Sequence, residues 1–355
     1  CALPSTATPW TVVNLHKGET TTSAAYAVSG LRQAGSAHPS GVVWQGTADS
    51  QTALTPGASS FATGISATRV VGYVGSETLR PALWTGVGPG YTDLLPPGGL
   101  DGQALGVSES AIVGAIGFAD GAHAALWSGA ALQFVDLHPS VANFSVAAAL
   151  DGEEQVGNFR LATGGSYHAA LWQGTAESVV DLHPAGAYAS QAQAISNGRQ
   201  GGWVQLTQSA SYTRAAVWSG TAGSYQDITP ATTFGAQIYG MAGDVFVGEA
   251  LFHGYVPGQS HAVFWSSASP DACFDLHTLL SSDYTNSFAY AVDVDEFGTV
   301  RVVGSAYNEN YYLPNGTYYP RNEAMMWVLV PEPSSLAALA AGLAGLAGVR
   351  PRRRR

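Results

Sequence analysis

Seven short phrases decide how this chain is read: GVVWQG at 41–46, PALWTG at 81–86, HAALWSG at 123–129, HAALWQG at 168–174, RAAVWSG at 214–220, HAVFWSS at 261–267 and EAMMWVL at 323–329. Their tryptophans, at 44, 84, 127, 172, 218, 265 and 327, stand 40, 43, 45, 46, 47 and 62 residues apart. Self-similarity at this period marks a propeller or solenoid, so seven phrases predict seven units. Around each tryptophan the same four strands recur. A small-residue strand (AYAVS, AQAIS, SFAYAVDV) comes first, then a strand with a valine-glycine step (RVVGYV, VFVGEA, RVVGSA). The tryptophan strand follows, and a closing strand (FVDLHP, VVDLHP, YQDITP) ends the unit. Gly, Ser, Asn and Pro separate them as turns.

Four antiparallel strands per repeat is the blade of a β-propeller, so the expected fold is all-β and seven-bladed. Strands nearest the axis are crowded where blades converge, which gives Ala25, Ala27, Ala104, Ala192, Ala194, Ala289 and Ala291 a steric reason to be small. The tryptophans are expected to fill the wider gap between blades, where a large ring buries most area. The last repeat has three strands, at 286–293, 299–305 and 322–329, and no closing strand. An orphan at 10–16, WTVVNLH, matches the closing pattern. It is therefore expected to supply the missing strand and spare the ring an open edge. The resulting division is an N-terminal extension at 1–9, a propeller at 10–329 and a tail at 330–355.

Composition agrees with a folded, tightly packed body. Of 355 residues 11% are charged, 46% are hydrophobic and 43 are glycine, and the formal charge is −11. That charge excludes a nucleic-acid binder working through an overall basic surface. Five of the 14 basic residues, Arg350, Arg352, Arg353, Arg354 and Arg355, lie in the last six positions. Residues 1–330 then hold 9 basic residues, with Lys17 the one lysine, against 24 acids, a charge of −15. The chain reads as an acidic module with an appended basic signal.

The tail reads VPEPSSLAALAAGLAGLAGVRPRRRR from 330 to 355. Pro331 and Pro333 cannot continue a strand ladder and mark the end of the body. The Leu, Ala and Gly run suits a short hydrophobic helix. With its flanking serines it covers about 16 residues, where a stable span needs roughly 20. Arginines after it hold that end in the cytoplasm and leave the body outside the inner membrane. This arrangement closely resembles the PEP-CTERM sorting signal of Gram-negative bacteria. The resemblance implies recognition of Pro331, Glu332 and Pro333, the hydrophobic segment and the basic end by an exosortase-type enzyme. It further implies a transient inner-membrane intermediate, cleavage near the Pro-Glu-Pro triplet, and release to the cell surface or an exopolysaccharide or biofilm matrix. A simple tail anchor is the alternative.

Cys1 and Cys273 are consistent with one disulfide in an oxidising compartment. A first-position cysteine also fits a removed leader or lipoprotein processing.

The His-Ala-Ala-Leu-Trp phrases with a downstream Asp-Leu resemble the extracellular HAF-repeat family, whose unit runs His-Ala-Phe-Leu-Trp and then Asp-Leu-Gly. His123, His168 and His261 match the leading histidine, whereas Ser40, Arg80, Arg214 and Glu323 replace it elsewhere. His138, His183 and His277 stand where the family has glycine. The resemblance implies a propeller-like surface protein without a defined activity.

Several clusters invite chemistry. Asp136 with His138, Asp181 with His183, and Asp275 with His277 pair an acid and an imidazole two apart, a spacing that can hold a metal. They recur on separate repeats, however, and so suit a structural hydrogen-bonding device better. Gly258-Gln259-Ser260-His261-Ala262 faintly suggests a serine-hydrolase elbow, yet it aligns with the entry to the other tryptophan strands. Asp293 and Asp295, in DVDEFG, offer carboxylates before a glycine turn and so a weak calcium site, with a solvated hairpin turn as the alternative. No other cofactor is expected.

The longest spacing carries the clearest departure from the repeat. Its extra residues, SAYNENYYLPNGTYYPRNE, place Tyr307, Tyr311, Tyr312, Tyr318 and Tyr319 beside Asn308, Asn310 and Asn315. Aromatic faces with amide donors suit sugar rings, so this loop is the candidate ligand site, or else a lid over the propeller. Two functional classes follow. One is a non-enzymatic exported propeller binding glycan or matrix protein. The other is a propeller hydrolase or lyase on extracellular polysaccharide, which would need non-repeating titratable groups at an axis expected to be mostly Ala, Val, Ser and Gly.

Overall fold

The computed structural model describes residues 10–18, 22–56, 58–86, 88, 90–255 and 258–331. The expected hydrophobic helix of the tail, together with Cys1, Glu332, Pro333 and the terminal arginines, lies outside the described residues.

Seven four-stranded antiparallel sheets form the ring. Blades I to VI run consecutively over 23–53, 60–93, 101–136, 142–181, 189–227 and 233–275. Blade VII combines Tyr284–Val294, Val300–Asn308 and Arg321–Leu329 with the N-terminal strand Trp10–Asn14. That strand pairs antiparallel with the last one, Trp10 opposite Leu329 and Asn14 opposite Met325. The ring is thus closed by the strand Trp10–Asn14, as the orphan segment predicts, and the edge of Arg321–Leu329 is covered by it.

A glycine in each second strand sets the shape of the inner sheet. At Gly35, Gly72, Gly114, Gly157, Gly202, Gly248 and Gly304 an added Cβ would stand 1.8–2.0 Å from a carbonyl oxygen of the neighbouring first strand. Only glycine permits that approach. Beside each glycine the first strand bulges by one residue. The bulge residues are Tyr26, Thr63, Leu105, Ala148, Gln193, Tyr239 and Tyr290, and all seven line one axial cavity of about 260 Å³. A bulge re-aims a side chain. Here it turns one residue per blade toward the axis, while its small neighbours, such as Ala25 and Ala192, stay buried against the sheet.

The tryptophans lie between blades. Trp84 of blade II packs with Ala34, Val43 and Leu54 of blade I, and Trp44 of blade I packs with Leu15, Val303 and Met326 of blade VII. All seven are at most 2% exposed. At a typical cost of about 3–5 kcal/mol for truncating a buried large aromatic, each is a principal contributor to one blade junction.

Deleting residues 1–17 should abolish cooperative unfolding in thermal or urea melts, because blade VII loses its outer strand and Leu15 leaves the blade VII–I core. A truncated protein that melts with the wild-type transition would refute the closure's role.

Candidate functional site

The acid and imidazole repeats are joints between blades. In blade III the His123 Nδ1–H donates to Asp136 Oδ2 at 2.8 Å. Asp136 Oδ1 accepts the His138 backbone N–H at 2.8 Å, and the His138 ring stacks on His123 with centroids 3.8 Å apart. His138 Nε2 lies 3.1 Å from the Ala142 carbonyl, which only accepts, so the proton sits there. Nδ1 then accepts from Ser145 Oγ of blade IV at 2.8 Å. The same Oγ accepts the Ala124 N–H of blade III, also at 2.8 Å. The serine of one blade is therefore held by two groups of the blade before it.

This joint recurs at His168, Asp181, His183 and Ser190, and at His261, Asp275, His277 and Ser287. Ring closure uses it with the charges exchanged. Asn14 Nδ2 donates to Glu323 Oε2 at 2.7 Å, and His16 Nδ1 meets Ser23 Oγ at 2.7 Å while that Oγ accepts the Ala324 N–H. Arg80 with Asp93 and Arg214 with Asp227 replace the leading histidine by a guanidinium. Among the described residues no three His, Cys, Asp or Glu side chains converge to hold a metal ion. Ser260 and His261 also serve the scaffold: the Ser260 N–H donates to Asn286 and His261 belongs to its joint.

Asp293 and Asp295 bind neighbouring groups of the fold. Asp293 Oδ2 accepts the Gly30 N–H of blade I at 3.2 Å. Asp295 Oδ1 accepts the N–H groups of Phe297 and Thr299, and Oδ2 accepts from Arg301 Nη1 at 3.0 Å. Burial pulls the Asp295 pKa upward, but these hydrogen bonds and Arg301 outweigh it and the net shift is downward. Cys273 is half-buried in the outer strand of blade VI, and burial, with Asp275 beside it, pushes its thiol up to about 12. Its neighbour Phe274 stacks on Trp10 at 6.1 Å, so the N-terminal strand begins beside it.

The tyrosine insertion divides into a buried base and an exposed tip. At the base, Glu323 accepts from Tyr284, Arg321, Asn14 and Asn308. Burial works to raise its pKa, yet the hydrogen bonds from Tyr284, Arg321 and Asn14 and the Arg321 charge bring it below the usual range. The Arg321 guanidinium lies 3.6 Å from the centre of the half-buried Tyr311 ring, and Tyr307 sits at the strand end beside Asn308. The tip is a small hairpin: Tyr312 bridges Tyr318, the Leu313 N–H donates to Thr317, and Asn315 Oδ1 caps Thr317. Tyr312 and Tyr318 are 57% and 50% exposed with rings 5.4 Å apart. Tyr319 and Asn310 are exposed beside them.

Two features are legible only in the fold. Tyr188, Tyr212, Phe234 and Tyr255 of blades V and VI are exposed on the same end of the ring as the hairpin. They fall in separate loops and strand starts that no repeat phrase marks. The axial tyrosines Tyr26, Tyr239 and Tyr290 sit among small residues in the first strands, and only the bulge reveals that they face the axis. The last strand runs away from the hairpin, and Pro331 meets Gly298 at the opposite end. The tail therefore leaves from the face that the tyrosine hairpin does not occupy.

Residues 329–354 match the PEP-CTERM protein-sorting motif. That motif implies export and exosortase-mediated sorting to the cell surface. No curated protein matches the chain. Among solved structures, the β-propeller domain of the Trilobed protease from Pyrococcus furiosus, described as having an open velcro topology, aligns with TM-score 0.56 and 11% identity over 87% of this chain and 95% of that one. Pyrococcus horikoshii acylaminoacyl peptidase aligns at 0.52 and 10% over 89% of this chain and 53% of that one. A puromycin hydrolase aligns at 0.56 and 13% over 81% and 50%. The chain spans about half the length of these two enzymes, and at such identity the likeness is one of fold.

Burial, and the neighbouring His261, hold His277 down at about 4, and His16, His138 and His183 are also lowered, with burial the leading cause. Unfolded histidines titrate near 6.5, so the unfolded chain binds more protons between the two values and stability must fall as pH drops from about 6.5 to about 4. Urea melts across this range should show that loss, and it should shrink in His277→Gln. Ser287→Ala should cost about 1–3 kcal/mol at neutral pH by leaving the Ala262 N–H without its acceptor.

Proposed function

We propose that this chain is an exported, non-enzymatic binding propeller that engages glycan in the extracellular matrix through the tyrosine hairpin of blade VII. The observation that carries the reading is the exposed Tyr312 and Tyr318 pair, with Tyr319 and Asn310 beside it, raised on a buried and hydrogen-bonded base. Tyrosine offers a broad apolar face at small entropic cost, and amides supply the hydrogen bonds that hydroxyl-rich ligands require. Tyr311 and Asn308 belong to the support, since Arg321 and Glu323 hold them.

The position of the tail supports the same reading. While the C-terminal segment is held at the inner membrane, the face from which it leaves is turned to the lipid and the tyrosine face is turned away. Cleavage near Pro331 then frees the acidic body for the matrix. The body is further read as a variant of the HAF repeat, in which the leading histidine is retained in blades III, IV and VI. Cys1 is read as the disulfide partner of Cys273, because the first strand starts against Phe274.

On a glycan array the wild-type protein should bind a defined subset of polysaccharide fragments, and Tyr312→Ala combined with Tyr318→Ala should lose at least about tenfold in affinity, in line with two aromatic contacts, with an unchanged melting temperature. Unaltered binding by the double variant removes the site. Separately, mass spectrometry of protein from an exosortase-bearing host should find the C-terminus near Pro331. An intact tail embedded in the membrane would overturn the sorting step.

A further inference from the structure

The axial cavity is unequal around its circumference, and the inequality is chemical. Its three tyrosines come from adjacent blades: Tyr239 from blade VI, Tyr290 from blade VII and Tyr26 from blade I. Their rings form a continuous wall, with Tyr26 and Tyr290 centroids 5.2 Å apart and Tyr239 and Tyr290 centroids 5.8 Å apart. On the rest of the circumference the corresponding bulge positions are Thr63, Leu105, Ala148 and Gln193. Nothing in the repeat requires this difference, because all seven positions share one backbone geometry.

Behind the wall stands a carboxylate. Glu249, on the second strand of blade VI, is 7% exposed and accepts the Tyr239 hydroxyl at 2.7 Å. Among the described residues no Lys, Arg or His forms an ion pair with it. A buried carboxylate without a cation is costly, and one hydrogen bond offsets only part of that cost. The phenols remain neutral beside it, since burial raises both and holds Tyr290 at about 12. The cavity wall therefore presents three aromatic side chains with a carboxylate behind one of them.

The geometry points to an axial binding site for a small alkylated ammonium ion, held by the Tyr26, Tyr239 and Tyr290 wall with the Glu249 carboxylate behind it. Aromatic faces attract such cations by about 0.5–2 kcal/mol per desolvated contact, and the aliphatic residues Val28, Ile65 and Met241 on the cavity's lining suit alkyl substituents. A divalent metal ion would need several oxygen ligands at once, whereas no carboxylate is among the described residues that line this cavity, Glu249 standing behind Tyr239. The volume of about 260 Å³ falls below the usual range for drug-sized ligands, which matches a small headgroup. This site is independent of the glycan-binding hairpin, which lies at the rim on one end of the ring.

Isothermal titration of the full chain with tetramethylammonium and with choline should give saturable one-to-one binding, with sodium and potassium chloride at equal ionic strength giving none. Glu249→Gln should weaken binding roughly tenfold or more, and Tyr26→Leu roughly five- to thirtyfold, whereas Tyr26→Phe, which keeps the ring face, should stay within about twofold. Melting curves identify any variant that fails to fold, and the pair Tyr26→Leu and Tyr26→Phe keeps the test decisive if Glu249→Gln does. Absence of saturable binding to the wild type, or equal binding by Tyr26→Leu, would overturn the proposal.

Discussion

One steric constraint underlies the whole ring: in every blade a first-strand carbonyl oxygen occupies the space where a second-strand side chain would begin. A glycine opposite that carbonyl is the only residue that leaves room. The close approach accompanies a one-residue bulge in the first strand, and the bulge decides which side chain faces the axis. The small residues on either side of it can then pack into the narrow inner part of each blade junction. The wider outer part is left to the tryptophans, which makes the repeated Val-Gly and Trp phrases two consequences of the same wedge geometry.

The blade joints show how a repeat is converted into a closed object. Each complete joint links an acid, an imidazole and a hydroxyl, and the hydroxyl belongs to the next blade, so sequence order and spatial order coincide around the ring. At the closure the same joint is made by residues some 300 positions apart, with Ala324 donating to Ser23. There the acid is on the third strand and its partner, an amide, on the fourth, whereas in blades II to VI the acid is on the fourth strand and its His or Arg partner on the third. A second copy of the ordinary closing strand would place Asp against Glu323. The exchange favours the N-terminal strand as the partner of blade VII, and like-charge repulsion disfavours the others.

The face asymmetry follows from chain direction. The third strand of blade VII ends where Gly298 and Pro331 meet, so the sorting tail departs from one end of the ring and the tyrosine hairpin stands at the other.

The number of blades, their strand order, the N-terminal closure and the sorting tail were legible in the sequence alone, because each is written in a residue type that recurs at fixed spacing: Trp, Gly and Asp-Leu-His in the body, and Pro-Glu-Pro and Arg in the tail. The structural role of the Asp-Leu-His phrases was legible too, by virtue of their repetition. The structure alone decided how the tyrosine insertion divides, since Tyr311 and Asn308 are held by Arg321 and Glu323 while Tyr312 and Tyr318 are not. It alone decided that Tyr26, Tyr239 and Tyr290 face the axis, where mostly small residues were expected. The reason is that a bulge breaks the alternation of strand faces. Which side a residue presents then depends on a neighbouring strand's backbone and not on its own place in the chain.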